Sequence, residues 1–395
     1  MLVPAASGNA RTGHILPERP GPGFPQNVCV CVSSSLSGCG PKLKEHLMKP
    51  SRVGVVALWL VFWTGGVCKA EDQGCWKPLF DGETLAGWHK VGDGQWSIKD
   101  GAIVGTADNA KLYGLLESND VFRDFTVRFK FRCFSGDSGF YIRTLIRPPE
   151  KAHGLQVQVG RAGSGTGGIY ESYGRGWIDK LPEEEEAKLY KPEGQWNEMV
   201  IDAHGGDVLV KVNGTKTAEL KDDPSRREGH FILQMHAGCV MHVEFKDIEI
   251  CEDEPQPKLE PVRAAEDGSI CLGAPAGRGV GPKVKLMPEW KAFGWWTDAD
   301  QAEWLVEVPE AGAYDVFLEW SVADDSAGNP YVFEIGGQTV AGEVETTGSW
   351  ETYKEAKIGR VTLEAGTHFA AFKPAGKFKG ALLDLREVRL VLAGE

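Results

Sequence analysis

Side chains in this chain alternate far more than they spiral, and that single habit limits the folds open to it. In FTVRFKFRCF, Phe125, Val127, Phe129, Phe131 and Cys133 share one parity, while Arg128, Lys130 and Arg132 share the other. That is the two-residue period of a half-buried strand. MVIDAHGGDVLVKVNGTK repeats it on both sides of Gly205-Gly206, with Asn213-Gly214 as a second tight turn, and HFILQMHAGCVMHVEF continues it past a turn near Gly238. Helical spacing is scarce: PEEEEAKLYKP offers one short turn, and its Glu183 to Glu186 run reads as a solvated face. Further on, QAEWLVEVPEAGAYDVFLEWSV gives two strands about Pro309-Glu310-Ala311-Gly312, and GRVTLEAGTHFAAFKP gives a pair about Glu364-Ala365-Gly366. A chain patterned this way buries its apolar rows by laying sheet on sheet, so the predicted fold is all-β, two β-sandwiches in tandem.

A change of composition divides them. CEDEPQPKLEPVRAAEDGS, from Cys251 to Ser269, holds three prolines and many charges without an apolar period, and reads as a linker. The expected domains are therefore 74–252 and 270–393, joined by 253–269. Upstream, MKPSRVGVVALWLVFWTGGVCKAED from Met48 has a short basic start, an apolar core from Val53 to Val67, and small residues flanking a cleavage point after Ala70. It reads as a signal peptide over 48–70, too short in its apolar part to span a membrane comfortably, and predicts an exported protein in the periplasm or outside the cell. Acylation at Cys68 is the weaker reading, because Gly65-Gly66-Val67 is a poor lead-in. Residues 1–47 then lie before the true start or are disordered. Export permits disulfides, and 74–395 keeps Cys75, Cys133, Cys239, Cys251 and Cys271. The number is odd and the spacing lacks C-x-x-C, which argues against zinc and leaves at least one thiol unpaired within the chain; the pairing itself is open.

A formal net charge of −13 argues against a nucleic-acid partner, since phosphate binding needs a concentrated positive field. Gly163, Gly165 and Gly168 spell G-x-G-x-x-G, but IYESYGRGWIDKLP follows, with no helical period to receive a pyrophosphate. The segment reads as a turn between strands, and no nucleotide cofactor is expected. The informative letters stand beside it. Gln156 and Gln158 alternate with Leu155 and Val157; Gln234 and His236 alternate with Leu233 and Met235; Tyr141 and Arg143 alternate with Phe140 and Ile142. If these strands share a sheet, its open face collects amide, imidazole, guanidinium and phenol groups, the set that recognises sugar hydroxyls. A merely wet outer surface would be built more cheaply from Lys and Glu.

WKPLFDGETLAGW (76–88), WSIKDGAI (96–103), GDSGFYIR (136–143), GLQVQV (154–159), TGGIY (166–170), QWNEMVI (195–201), VNGT (212–215) and ILQMHAGCVMHVEFKDIEI (232–250) stand in the order found in the 3-keto-disaccharide hydrolase domain family, which residues 74–252 resemble. The resemblance implies a concanavalin-like jelly roll acting on glycosides whose C3 is already a ketone. That ketone acidifies the C2 proton, so a base removes it, the C1 substituent is expelled, and water adds afterwards; the paired carboxylates of ordinary glycoside hydrolysis are not required. It implies Arg143, Gln158, Tyr170, Gln234 and His236 as ligand contacts, with Tyr141 and Gln156 beside them. The chain departs from the family at two places: Gln156 stands where Glu is usual, and Asp137 where Asn is usual. An amide takes up no proton, so the base falls to Asp137, Glu171 or His236.

The stretch EWLVEVPEAGAYDVFLEWS, with TTGSWETY (346–353), VTLEAGTHFAAFK and ALLDLREVRLVL, is similar to the galactose-binding-like sandwich of carbohydrate-binding modules. Loop aromatics stack on sugar faces in such modules, which marks Trp295, Trp296, Trp350 and Tyr353, with Asp384 as a polar partner. A structural calcium is common in them, though no dense Asp/Asn loop fixes one here. Three readings follow. The leading one is an exported two-module protein that binds and cleaves a 3-keto-glycoside; the second is a lectin-like protein without catalysis, favoured by Gln156; the third is a plain adhesion protein.

Overall fold

The alternating phenylalanine row is buried for a topological reason. In the structure, a computed structural model that describes residues 74–394 apart from 109, 112, 149, 150, 192 and 193, strand Phe125–Ser135 sits inside a sheet and not at its edge. The expected leader at 48–70 and the 47 residues before it lie outside the described residues. Phe125–Ser135 pairs with Asn197–His204 on one side and Val240–Glu252 on the other, both antiparallel. The outer strands of this sheet are Asp207–Val212 and Thr215–Leu220 at one end, and Ala102–Asp108 and Gln95–Lys99 at the other.

A second sheet faces it, ordered Gly176–Asp179, Ile169–Ser172, Lys151–Val159, Ser138–Arg147, His230–Met235, Gly114–Ser118 and Trp88–Gly92. Rings interlock between the layers: Phe129 stacks on Phe140 with centroids 4.4 Å apart, and Phe122 on Phe231 at 4.1 Å. Each such buried ring contributes about 1.5–3 kcal/mol relative to exposure. Cys75 and Cys251 form a disulfide where the chain enters and leaves this sandwich, and Cys133, Cys239 and Cys271 are free thiols. The short helical turn is present as Glu183–Leu189.

The second sandwich has its own core, from Ile270 to Leu390. One sheet runs Pro261–Val262, Gln301–Val308, Gly366–Pro374, Pro330–Ile335 and Gln338–Glu343; the other runs Lys285–Met287, Ala292–Gly294, Asp384–Leu392, Gly312–Ser321 and Lys354–Leu363. The strands about Pro309–Gly312 therefore lie in opposite sheets, as do those about Glu364–Gly366. Both turns are corners between layers.

The 253–269 stretch is no loose tether. Pro261 and Val262 pair in parallel with Leu305 and Val306, and Leu259 is buried. Beside it, charged groups lock the sandwiches together. His230, wholly buried, places Nδ1 2.7 Å from the Ser118 carbonyl and Nε2 2.7 Å from Glu303 Oε1. A carbonyl and a carboxylate both accept, so both ring nitrogens carry protons and His230 is an imidazolium. Arg278 donates to Glu303 Oε2 at 2.6 Å and to the Asn119 carbonyl at 2.8 Å. Lys373 reaches the Ile146 carbonyl at 3.0 Å, and His89 stacks on Phe369 at 4.2 Å.

Candidate functional site

The open face of the 138–147 sheet forms a groove of about 530 Å³. Register assembles it: Tyr141 pairs with Gln156, Gln156 with Tyr170, and Tyr170 with Trp177, so four strands contribute one transverse row. Gln156 lies flat over Gly139, where any Cβ would come within 2.5 Å of its Cγ. Tyr113, Tyr173 and Trp177 add aromatic walls, and Asp137, Gln158, Gln234 and His236 supply the polar ones.

The amides and hydroxyls are joined in a single directed chain. Gln234 Nε2 donates to Tyr141 Oη at 2.9 Å, and Tyr141 Oη lies 3.0 Å from Ser172 Oγ. Ser172 Oγ donates to Gln156 Oε1 at 3.3 Å, Gln156 Nε2 to Gln158 Oε1 at 2.8 Å, and Gln158 Nε2 to Asp137 Oδ1 at 3.0 Å. Because an amide oxygen only accepts, the one Ser172 proton is committed to Gln156, and Tyr141 must be the donor to Ser172. Every bond then points toward the Asp137 carboxylate.

Asp137 opens onto the groove, yet the surrounding wall desolvates its carboxyl and holds its pKa above the ordinary carboxylate value, against the pull of His236, Arg161 and the Gln158 amide. His236 places Nδ1 2.7 Å from the Ala237 carbonyl. A carbonyl only accepts, so Nδ1 carries a proton; Nε2 lies 3.3 Å from Tyr113 Oη, accepting from it when the ring is neutral and donating to it when the ring is an imidazolium. Burial raises the pKa of the Tyr113 hydroxyl, so it remains a donor across the neutral range.

Residues 75–251 match the sequence model of the 3-keto-alpha-glucoside-1,2-lyase-like domain. The first sandwich belongs to that family. Solved structures similar to parts of the chain include a candidate glycosyl hydrolase from Parabacteroides distasonis, 19% identical over 45% of this chain and 94% of that one, with a TM-score of 0.34. Carbohydrate binding module CBM66 from Bacillus subtilis is 14% identical over 42% and 96%, with a TM-score of 0.32. A family 35 carbohydrate binding module from Clostridium thermocellum is 15% identical over 32% and 98%, with a TM-score of 0.28. No curated protein matches the chain.

Within the lyase-like domain, most of the residues expected at the site do line the groove: Asp137, Tyr141, Gln156, Gln158, Tyr170, Glu171, Gln234 and His236. Arg143 does not. The 138–147 strand has an irregularity between Ile142 and Leu145, and Arg143 adopts φ 51°, so the alternation breaks at that residue and its side chain leaves the open face. It is 1% exposed and donates to the carbonyls of Arg123, Gly205 and Ala203 at 2.7, 2.8 and 3.0 Å, and to Asp124 Oδ1 at 3.1 Å. It is a structural clamp. Glu171 reaches the groove wall but is held by Arg175, whose Nε donates to it at 2.5 Å while its other nitrogens grip Asp223 at 2.7 and 2.9 Å. The Glu171 Oε2 is committed to Arg175.

Sequence reasoning passed over Tyr113, Ser172, Tyr173 and Trp177; the interleaving of aromatics with Gly174 and Gly176 was the available signal for the last two. The G-x-G-x-x-G segment is indeed a turn between strands, and it holds an anion from its own chain: the buried Glu186 carboxylate accepts from Gly163 N at 2.6 Å.

In the second sandwich the expected aromatics separate. Trp295 is 63% exposed at φ 65°, with Lys285 Nζ 4.9 Å from its ring, whereas Trp296 is 5% exposed and packs in the core against Phe372. Core burial excludes Trp296 from stacking on a sugar. Trp350 packs on the core's margin. Arg386 lies 3.2 Å over the Tyr353 ring, covering one face, and Asp384 sits against Gly294. Burial raises the Asp384 carboxyl to about 6. Among the described residues no three His, Cys, Asp or Glu side chains are grouped to hold a metal, and no helix is long and apolar enough to cross a membrane.

Proposed function

We propose that the groove binds a glycoside oxidised to a ketone at C3 and eliminates its C1 substituent, with Asp137 as the base. The observation that carries this is the hydrogen-bond chain from Gln234 to Asp137 Oδ1, which stabilises an ionised carboxylate and leaves Oδ2 for the substrate. Asp137 takes the C2 proton; the C–H electron pair becomes the C1–C2 double bond through the enolate of the C3 ketone; the C1–O bond breaks and its pair leaves on oxygen. Protonated His236 has a second N–H at Nε2, and that proton goes to the leaving oxygen. Water then adds across the double bond. The family resemblance places an acid at 156 and an amide at 137; this chain carries the reverse, and Gln158 joins the two positions, so the pair keeps one carboxylate between them.

The second sandwich keeps the protein on polysaccharide in this reading, through exposed Trp295, and the chain is exported. Incubation with a 3-keto-glucoside in deuterated water tests the chemistry: release of the C1 alcohol together with deuterium at C2 supports it. Binding without either event favours the lectin-like reading, for which the amide at 156 speaks.

A further inference from the structure

A second cavity adjoins the groove. It has about 640 Å³ and is lined by Gly136, Arg161 to Ser164, Glu183 and Cys239, together with Asp137 and His236. Asp137 and His236 are the two residues it shares with the groove, so the candidate base and acid stand at the junction of two chambers. The chambers differ in chemistry. The groove is walled by Tyr113, Tyr141, Tyr170, Tyr173 and Trp177, which suit stacking on a ring, while the second cavity has no Phe, Tyr or Trp in its lining and shares only the His236 imidazole.

To the Asp137 carboxylate at the junction, on which Arg161 exerts a Coulombic pull, the second cavity adds one cation, Arg161, and one further anion, Glu183. Among the described residues, the exposed side chains of Arg161 and Glu183 make no hydrogen bond or ion pair. The loop that carries Arg161 is nonetheless fixed: Glu186 accepts from Gly163 N at 2.6 Å, Tyr190 donates to the Gly160 carbonyl at 2.5 Å, and Gly160 N donates to Thr166 Oγ1 at 3.1 Å. A guanidinium that donates and a carboxylate that accepts together satisfy the vicinal hydroxyls of a neutral polyol. An acidic group would meet Glu183, a basic one Arg161, and an aryl group would find no Phe, Tyr or Trp to stack on.

Resting on the elimination proposed above, we infer that this second cavity is the leaving-group subsite, and that Arg161 and Glu183 select a neutral, hydroxyl-rich leaving group, a second sugar, over an aryl or alkyl one. The scissile C1–O bond then lies between Asp137 and His236, with the oxidised ring in the aromatic groove.

The test uses three 3-keto-α-glucosides differing in leaving group, glucose, methanol or p-nitrophenol, with the wild-type chain and the R161A and E183A variants. Losing one charged hydrogen bond corresponds to about tenfold or more. Each variant is expected to lose about tenfold more kcat/KM on the glucose-releasing substrate than on the other two. An equal loss on all three overturns the assignment. If the wild-type chain turns over none of them, the elimination reading fails, and calorimetry with the unoxidised disaccharide and methyl glucoside decides the subsite separately. Weaker disaccharide binding by the variants, with a smaller change for methyl glucoside, supports it; indifference to either substitution overturns it.

Discussion

Ser172 Oγ donates its one proton to Gln156 Oε1, 3.3 Å away, and this contact sets the direction of every hydrogen bond between Tyr141 and Asp137. Were Gln156 a glutamate, it would have no N–H for Gln158 Oε1. The Gln158 amide would turn to serve the new carboxylate, and Asp137 would lose its donor. The amide at 156 is thus matched to an acid at 137.

Two substitutions test that match. D137N removes the base and is expected to cut elimination by about 10²–10⁴-fold with an unchanged melting temperature. Q156E is expected to lower activity too and to move the acid limb of the pH–rate profile upward, because a second carboxylate opposes ionisation of Asp137. In the wild-type chain that limb already has its midpoint above the ordinary carboxylate value of 3.8, since desolvation raises Asp137. A Q156E enzyme more active than wild type would contradict the assignment of the base.

Arg143→Ala is expected to cost stability and leave sugar affinity alone. Four hydrogen bonds hold the guanidinium, and Asp124 would be left without it. A loss of about 3–5 kcal/mol is typical when a buried ionic partner is removed. Urea denaturation reads the loss, and calorimetry on the protein that remains folded should return the wild-type Kd.

The contact between the sandwiches makes stability depend on pH. Burial alone would lower the His230 pKa, but the facing carboxylates of Glu303 and Glu117 outweigh burial and the nearby Arg278, and hold it above 6.5. Burial would raise Glu303, yet His230 and Arg278 bring it down to about 2. The histidine's contribution is full below about 6.5 and is lost as pH rises through its folded-state value; the glutamate's is full above about 4.5 and is lost as pH falls toward 2. Melting temperature is therefore expected to be highest near pH 5–6 from this pair and to decline above neutrality. In H230Q that alkaline decline should flatten.

Asp384 carries the opposite sign. Burial raises its carboxyl to about 6, so the folded state resists its ionisation and loses stability as pH climbs from about 4 to 6. D384N is expected to raise stability at pH 7 by an amount on the order of 1–2 kcal/mol, seen as a higher melting temperature than wild type, with no difference at pH 3.5.

Which of these features could be read from the letters depends on whether local period or tertiary register produced them. The alternation of Phe125 to Cys133 is a local property and gave the strand and its buried face directly. The same rule put Gln156, Gln158, Gln234 and Tyr141 on one open face, because those strands keep their period through the groove. It failed at Arg143, where a backbone irregularity reverses the side chain, and alternation contains no notice of that. Trp295 and Trp296 look alike in sequence, and their opposite fates are decided by the core beneath them. The pairing of Cys75 with Cys251 follows from where the sandwich begins and ends, 176 residues apart.

That disulfide has an architectural consequence. With the Cα atoms of Cys75 and Cys251 5.1 Å apart, the polypeptide enters and leaves the lyase-like domain through one doorway, as a unit suited to insertion into other chains. The face turned to the second sandwich is not so portable. Transplanted alone it would present His230 to solvent without Glu303, and any new host would have to furnish an acid of its own at that spot.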